Sequence, residues 1–330
     1  MKLYNVGADL SKKTIDFVIH SLKAFLFLKV DNNISGFREL IKWFQQHSID
    51  PSEVLIVMEH TGLYSYQLEQ FLHQNGISFT KVSALAIKRS LGLVRGKSDK
   101  IDARRIARYA FEKRDCLSAD QPVSENLTLL QRLHSTRERL VKTRASYITA
   151  VNEEREAYKL KKTDIIIAAQ LKVIKTLDQQ IQKLETEIQA IVQADKDLNK
   201  NNNLLKSVTG VGPVVALATI VKTRNFTCFT NPKKFGCFCG TAPFEHTSGS
   251  SIRGKTKISS LGDKKMKTLL DLAAKSAIQH DKELKAYYMK RLAIGKSKKS
   301  TINIVRNKII YRMFAVIKRQ TPYQEHPTAA

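Results

Sequence analysis

The sequence predicts an α/β unit over residues 1–120, central coiled-coil helices over 121–200, and a basic, mostly helical region over 201–330. Three observations predict it. Short runs of Val, Ile, Leu and Phe alternate with helical periodicity in the first part. A glycine-free heptad seam occupies the second. In the third, Lys and Arg far outnumber Asp and Glu.

In the first part, residues 3–8, 14–19 and 24–30 are three short apolar runs with brief connections, read as strands. Phe37, Leu40, Ile41 and Phe44 mark the apolar stripe of a helix over 37–47, with Trp43 half-buried at its edge. Residues 54–58 form a continuous apolar strand of the type buried in parallel sheets. Residues 62–74 are helical, with Tyr64, Leu68, Phe71 and Leu72 on one side, and Asn75-Gly76 stops them. Residues 77–82 give another strand and 101–113 another helix. The order of three strands, helix, strand, helix, strand, helix is that of the ribonuclease H-like fold. There the first strand lies beside a later parallel strand, which would bring Asp9 and Glu59 together.

In the second part, Ile174, Leu177, Ile181, Leu184, Ile188 and Ile191 follow spacings of 3, 4, 3, 4 and 3. The preceding stretch is less regular, with Arg137 and Arg144 interrupting its seam. An antiparallel hairpin or a subunit-bridging coiled coil is expected, structural or oligomerising in role. The polar run 199–203 marks the next boundary. Beyond it, Thr209-Gly210-Val211-Gly212-Pro213 resembles a helix-hairpin-helix turn, in which Gly210 and Gly212 would let backbone N–H groups approach a phosphate. A Ser/Gly-rich loop over 247–254 and basic helices over 264–318 follow.

The net charge of +26 is unevenly spread. Residues 201–330 hold 24 basic and 6 acidic side chains, a net of +18, against +5 over 1–120 and +3 over 121–200. So one-sided an excess points to a polyanionic partner. The apolar stretch 214–221 is far too short to span a bilayer, and the first ten residues lack a signal peptide, so a soluble, cytoplasmic protein is expected. Cys116, Cys228, Cys237 and Cys239 lack zinc-site spacing and read as buried small apolar residues.

Four carboxylates carry the chemistry. Asp9 and Glu59 end apolar runs, while Asp99 and Asp102 stand three apart at the start of a helix. Three helical residues advance about 4.5 Å and return to within about 60°, so the pair shares one face if the helix has begun by Asp99. Ser98 or Asp99 also suits a helix N-cap, and Asp9 a turn cap. An acid closing the buried run 54–58 is costly unless paired or metal-bound. Carboxylates converging in this way are what a two-metal phosphodiester site requires. In the loop, Ser248, Ser250 and Ser251 are alternative nucleophiles, and Arg253, Lys255 and Lys257 are suited to hold a phosphate.

Gly7-Ala8-Asp9, Glu59-His60-Thr61-Gly62-Leu63-Tyr64 and Lys97-Ser98-Asp99-Lys100-Ile101-Asp102-Ala103-Arg104 resemble the three acidic motifs of the DEDD-type insertion-sequence transposases. This is the family numbered one hundred and ten among insertion sequences, which includes the Piv-like DNA invertases. Gly240-Thr241-Ala242-Pro243, Ser248-Gly249 and Arg253-Gly254 resemble its second motif block. Ala8 and His60 depart from the usual pattern without removing a ligand, and an outward-facing His60 is expected.

The resemblance implies a RuvC-like N-terminal domain with Asp9, Glu59, Asp99 and Asp102 binding magnesium. It implies Ser248 as the nucleophile that takes the 5′ end of the cut strand, with exchange through a four-way junction. Arg104, closing the third motif, joins Arg253, Lys255, Lys257, Gly210 and Gly212 as a nucleic-acid contact. The implied partners are donor and target DNA, a structured bridge RNA that pairs with both, and further copies of the chain, as dimer or tetramer. The acids of one subunit would then combine with the serine of another. A nucleoid-associated protein of a prokaryote is implied, with no membrane partner. A water-using junction resolvase and a non-catalytic nucleic-acid scaffold are the alternatives.

Overall fold

A computed structural model describes residues 2–20, 25–60, 62–90, 92, 96, 98–248 and 252–324, without the side chains of 246–248 and 252–255. The chain divides into two compact units, residues 1–122 and 123–330. The helices expected to stand apart over 121–200 lie within the second unit, sharing its core.

The first unit is a five-stranded sheet flanked by helices. Its strands are β1 (Tyr4–Leu10), β2 (Thr14–His20), β3 (Phe25–Asp31), β4 (Val54–Glu59) and β5 (Ser78–Val82), in spatial order β3-β2-β1-β4-β5. β1, β2 and β3 pair antiparallel, whereas β4 runs parallel to β1 and β5 to β4. Alternation along each strand sends one set of side chains to each face. Val6, Ala8, Ile15, Phe17, Ile19, Ile56 and Met58 pack beneath α1 (Ile34–Gln46) and α2 (Tyr66–Gln74). Leu55 and Val57 pack with Ile106 and Ala110 of α4 (Asp99–Glu112), on the opposite face.

Several expectations shift. A short helix α3 (Ala84–Ser90), not foreseen, follows β5. Trp43 is buried rather than half-buried, its ring 5.8 Å from that of Phe44. Residues 62–65 form a separate 3-10 turn before α2, which leaves Tyr64 exposed instead of on the apolar side.

In the second unit, α5 (Glu125–Tyr158) and α6 (Ile165–Ala194) form an antiparallel hairpin. Arg137 and Arg144, which break the seam, reach across to Glu185, 2.6 Å away, and to Asp178. A long cation beside an apolar seam buries its stem and leaves its charge at the edge. Asp195 ends α6 and caps α7 (Lys196–Lys206), its carboxylate accepting from the Asp197 and Leu198 amides. The break therefore falls at Asp195, and the run 199–203 lies inside a helix.

The other elements are α8 (Pro213–Thr223), α9 (Pro232–Phe238), β6 (Pro243–Ser248), β7 (Ile252–Ile258), α10 (Lys264–His280), α11 (Lys282–Ala293) and α12 (Lys298–Arg319). The apolar faces of α8 to α12 share one core with Leu127 and Leu130 of α5 and Ile188 and Val192 of α6, and among the described residues β6 and β7 contribute nothing to it. Residues 247–254, read as a loop, instead belong largely to the antiparallel β6–β7 hairpin, whose residues 249–251 lie outside the described ones. Cys239 is buried as expected, but Cys116, Cys228 and Cys237 are exposed, so only one cysteine acts as a core residue. Among the described residues, no helix is long and apolar enough to cross a membrane.

Candidate active site

The topology brings the acids to one end of the sheet. Ala8 pairs with Met58 in parallel register, so Asp9 and Glu59 are the next residues along adjacent strands and share a face. That face is covered by α4. Gly7 permits the cover: a Cβ there would stand 2.2 Å from the Ala107 amide nitrogen and 2.6 Å from the Ala103 carbonyl oxygen. The glycine before the first acid is therefore a close-approach residue, lowering the acid-bearing helix onto the strand.

Both helix-start readings hold together. Ser98 is the N-cap, its hydroxyl accepting from the Ile101 amide, and Asp99 and Asp102 occupy the first turn of α4. There their charge also complements the helix dipole. Arg105 donates to Asp102 at 2.6 Å and to the Gly96 carbonyl at 2.8 Å, and Lys29 lies 3.9 Å from Asp99.

A fifth acid was not expected. Asp16 on β2 pairs in register with Asp9, and with Lys29 on β3. Its side chain is 3% exposed and lies 3.4 Å from the Lys29 ammonium. Glu59, Asp9, Asp16 and Lys29 thus form a charged row across four adjacent strands. Hydropathy alternation in 14–20 places Asp16 opposite the apolar face, but the strand register is needed to put it beside Asp9.

Asp9 registers this crowding. Its pKa is raised from 3.8 to about 6, first by burial and then by Asp102, Asp99, Asp16 and Glu59 in that order. An all-oxygen donor set of five acids against the two cations Lys29 and Arg105 keeps a net negative charge and fits a hard divalent cation. Among the described residues, no three such side chains now stand close enough to enclose one. Asp102 is turned to Arg105 and Asp99 toward Lys29 instead.

The remaining candidates are dispersed. Arg104 stacks on Phe25, 3.9 Å from its ring centre, and His60 is exposed. Gly210, at φ +91°, packs against α10: a Cβ would meet the Ala273 carbonyl oxygen at 2.4 Å. Internal packing accounts for this glycine, while Gly212, exposed before α8, has open space around it. Ser248 pairs with Ile252 at the end of β6, and Arg253, Lys255 and Lys257 lie on β7 rather than in a loop.

The base of that hairpin is firmly tied. Asn303 and Asn307 of α12 both donate to the Thr241 carbonyl, at 2.8 and 2.9 Å, and the buried Thr241 hydroxyl bonds the Gly236 carbonyl. Gly240 and Gly262 touch backbone to backbone where the two strands leave the helical core; a Cβ on Gly262 would stand 2.3 Å from the Gly240 Cα.

Comparison with known proteins accords with this architecture. The model of the DEDD transposase family of IS110 type matches residues 6–153, spanning the sheet, α4 and most of α5. That of the transposase IS116/IS110/IS902 family matches 202–289, including the β6–β7 hairpin. A pilin gene-inverting protein of Moraxella bovis is 28% identical over 327 residues, 97% of either chain. Its Moraxella lacunata counterpart is equally similar, and the transposase for insertion sequence element IS1111A of Coxiella burnetii is 24% identical, covering 82% of this chain and 79% of its own. With both domain models matched in order and the acids placed at one sheet end, the chain is similar over most of its length to the DEDD-type IS110 transposases, enzymes of DNA strand cleavage and rejoining.

Proposed function

We propose that this protein is the transposase or site-specific recombinase of an insertion sequence. It cuts and rejoins DNA through a serine–phosphate intermediate, with target choice delegated to a structured bridge RNA. The observation that carries the reading is the gathering of Asp9, Glu59, Asp99 and Asp102 at the ends of β1 and β4 and the start of α4. Strand order β3-β2-β1-β4-β5 supports a RuvC-like, ribonuclease H-like domain.

Asp9, Glu59, Asp99 and Asp102 would hold magnesium, which when bound neutralises charge on a phosphodiester and favours ionisation of an attacking hydroxyl. Ser248 Oγ attacks phosphorus: the Oγ–P bond forms as the P–O3′ bond breaks. The serine proton passes to a basic group or water, and the departing 3′ oxygen takes one up. Rejoining reverses these steps on a new 3′ hydroxyl, so exchange needs no external energy source. Ser248 stands beyond the anchored base of its hairpin, and Arg253, Lys255 and Lys257 on β7 supply positive charge for the DNA backbone. Arg104 and Gly212 are secondary contacts in this scheme, whereas Gly210, packed against α10, is left out of it. The acids and the serine belong to separate units, which is compatible with acids from one subunit acting with the serine of another. The α5–α6 hairpin is the proposed bridging element, giving a dimer or tetramer in the cytoplasm, associated with the nucleoid. A fixed RNA guide accounts for strong basicity without a sequence-reading module.

The test is a labelled DNA from the flanks of the gene, mixed with RNA transcribed from those flanks, protein and magnesium. A denaturant-resistant protein–DNA adduct, lost in Ser248→Ala and in Asp99→Ala, is the expected result. Acid-dependent cleavage without an adduct would replace the serine mechanism with water attack by a junction resolvase. Binding unaffected by magnesium, with no cleavage, would leave only the scaffold reading.

A further inference from the structure

The row across the sheet ends in a cation. Asp16 is nearly sealed from solvent, and a buried carboxylate is costly without a partner. Lys29 supplies that partner at 3.4 Å, from the directly opposite position on β3. The same ammonium lies 3.9 Å from the Asp99 carboxylate, which is 65% exposed and so free to turn. One lysine therefore joins an acid absent from the four-carboxylate motif to an acid within it.

We infer that Lys29, held by Asp16, is an internal counter-ion that occupies Asp99 in the ion-free protein and competes with a divalent cation for it. The inference rests on the proposed role of Asp9, Glu59, Asp99 and Asp102 in holding such a cation. Asp16 is the anchor: its register with Lys29 fixes where the ammonium sits, and its burial keeps it from serving as a free ligand itself. Lys29 is 48% exposed, so its stem can move while its head stays with Asp16. When Asp99 turns toward a cation, Lys29 remains to neutralise Asp16. Asp16 and Lys29 are positioning residues, acting through Asp99 rather than touching DNA. Arg105 stands in the same relation to Asp102, but that pair is a local i, i+3 contact on one helix with no buried acid behind it.

Manganese titration of the nucleic-acid-free full chain, followed by electron paramagnetic resonance, tests this without relying on activity. Lys29→Met removes the competing charge, and Mn²⁺ affinity should rise about fivefold, a modest gain because the ammonium is half in solvent. Lys29→Arg keeps the charge and should restore wild-type affinity. Asp16→Asn frees Lys29 to pair wholly with Asp99 and should weaken Mn²⁺ binding. In thermal melts, Lys29→Met should be less stable than wild type in a chelator and recover much of the loss in Mn²⁺. Should Lys29→Met fold poorly, Asp16→Asn/Lys29→Met, without the buried charge, should bind Mn²⁺ more tightly than Asp16→Asn. Mn²⁺ binding that depends on Asp9 and Asp99 but is unchanged by Lys29→Met would overturn the inference while leaving the cation site standing. Mn²⁺ binding absent, or indifferent to Asp9→Asn and Asp99→Asn, would overturn both.

Discussion

Gly7→Ala is the smallest change that separates the two halves of the acid cluster. A Cβ at residue 7 would lie 2.2 Å from the Ala107 nitrogen, whereas ordinary contact begins at 3.4 Å. The strand and α4 must then part by about 1.2 Å, since all three helix atoms in conflict are backbone and have no rotamer to change. Overpacking of this kind costs about 1–3 kcal/mol, which lowers the melting temperature of the first unit without abolishing its fold. The larger effect is on chemistry. Asp99 and Asp102 ride on α4 while Asp9 and Glu59 stay with the sheet, and misplacing reacting groups by about 1 Å costs on the order of a hundredfold in rate. Gly7→Ala should therefore lower DNA cleavage about a hundredfold, with circular dichroism unchanged and DNA retention in gel shift close to wild type. Wild-type cleavage together with a wild-type melting temperature would refute the close-approach reasoning.

The remaining predictions concern charge and assembly. Asp9 has a folded pKa of about 6 against an ordinary 3.8, so its stabilising contribution is fully present below about pH 4 and lost as pH rises through about 6. In a chelator, wild-type melting temperature should fall across that window and Asp9→Asn should flatten the fall, by on the order of 1 kcal/mol after allowance for solvent screening; identical profiles would show that Asp9 is not crowded. Lys255→Gln/Lys257→Gln should weaken nucleic-acid binding and reduce the slope of log affinity against log salt by about 0.9 for each phosphate that is no longer neutralised. An unchanged slope in filter binding would remove β7 from the interface. Leu184→Pro, in the middle of α6, should break the α5–α6 hairpin, and light scattering should then report a smaller assembly; an intact oligomer would deny the hairpin its bridging role.

Much of the first unit was legible because its signals are local. Apolar runs and helical stripes located all five strands, α1, α2 and α4, and the first-turn acids of α4, with Ser98 or Asp99 as its cap, were legible in the string Ser98-Asp99-Lys100-Ile101-Asp102. Hidden features were those defined by what lies across from them. Tyr64 carries an apolar ring at helical spacing, yet the 3-10 turn ahead of α2 turns it outward. Residues 199–203 read as a break because they are polar, but a helix with one buried edge needs only Leu198, Leu204 and Leu205 to hold it. The Ser/Gly stretch has loop composition, yet cross-strand pairing and the anchored Gly240–Gly262 crossing make most of it a hairpin.

By itself the sequence determined the kinds of chemistry available: four acids at element ends, a serine-bearing segment amid cations, a heptad seam, and a strongly basic final third. These depend on residue type and spacing along one chain, which periodicity encodes directly. Tertiary structure decided the partners. Only strand register sets Asp16 beside Asp9 and under Lys29, and only the approach of α4 explains Gly7. Likewise, only the packing of α10 shows that Gly210 serves the interior. The reason is physical: a charge or a missing Cβ acquires its meaning from atoms a few ångströms away in space, and those atoms belong to residues distant in the chain.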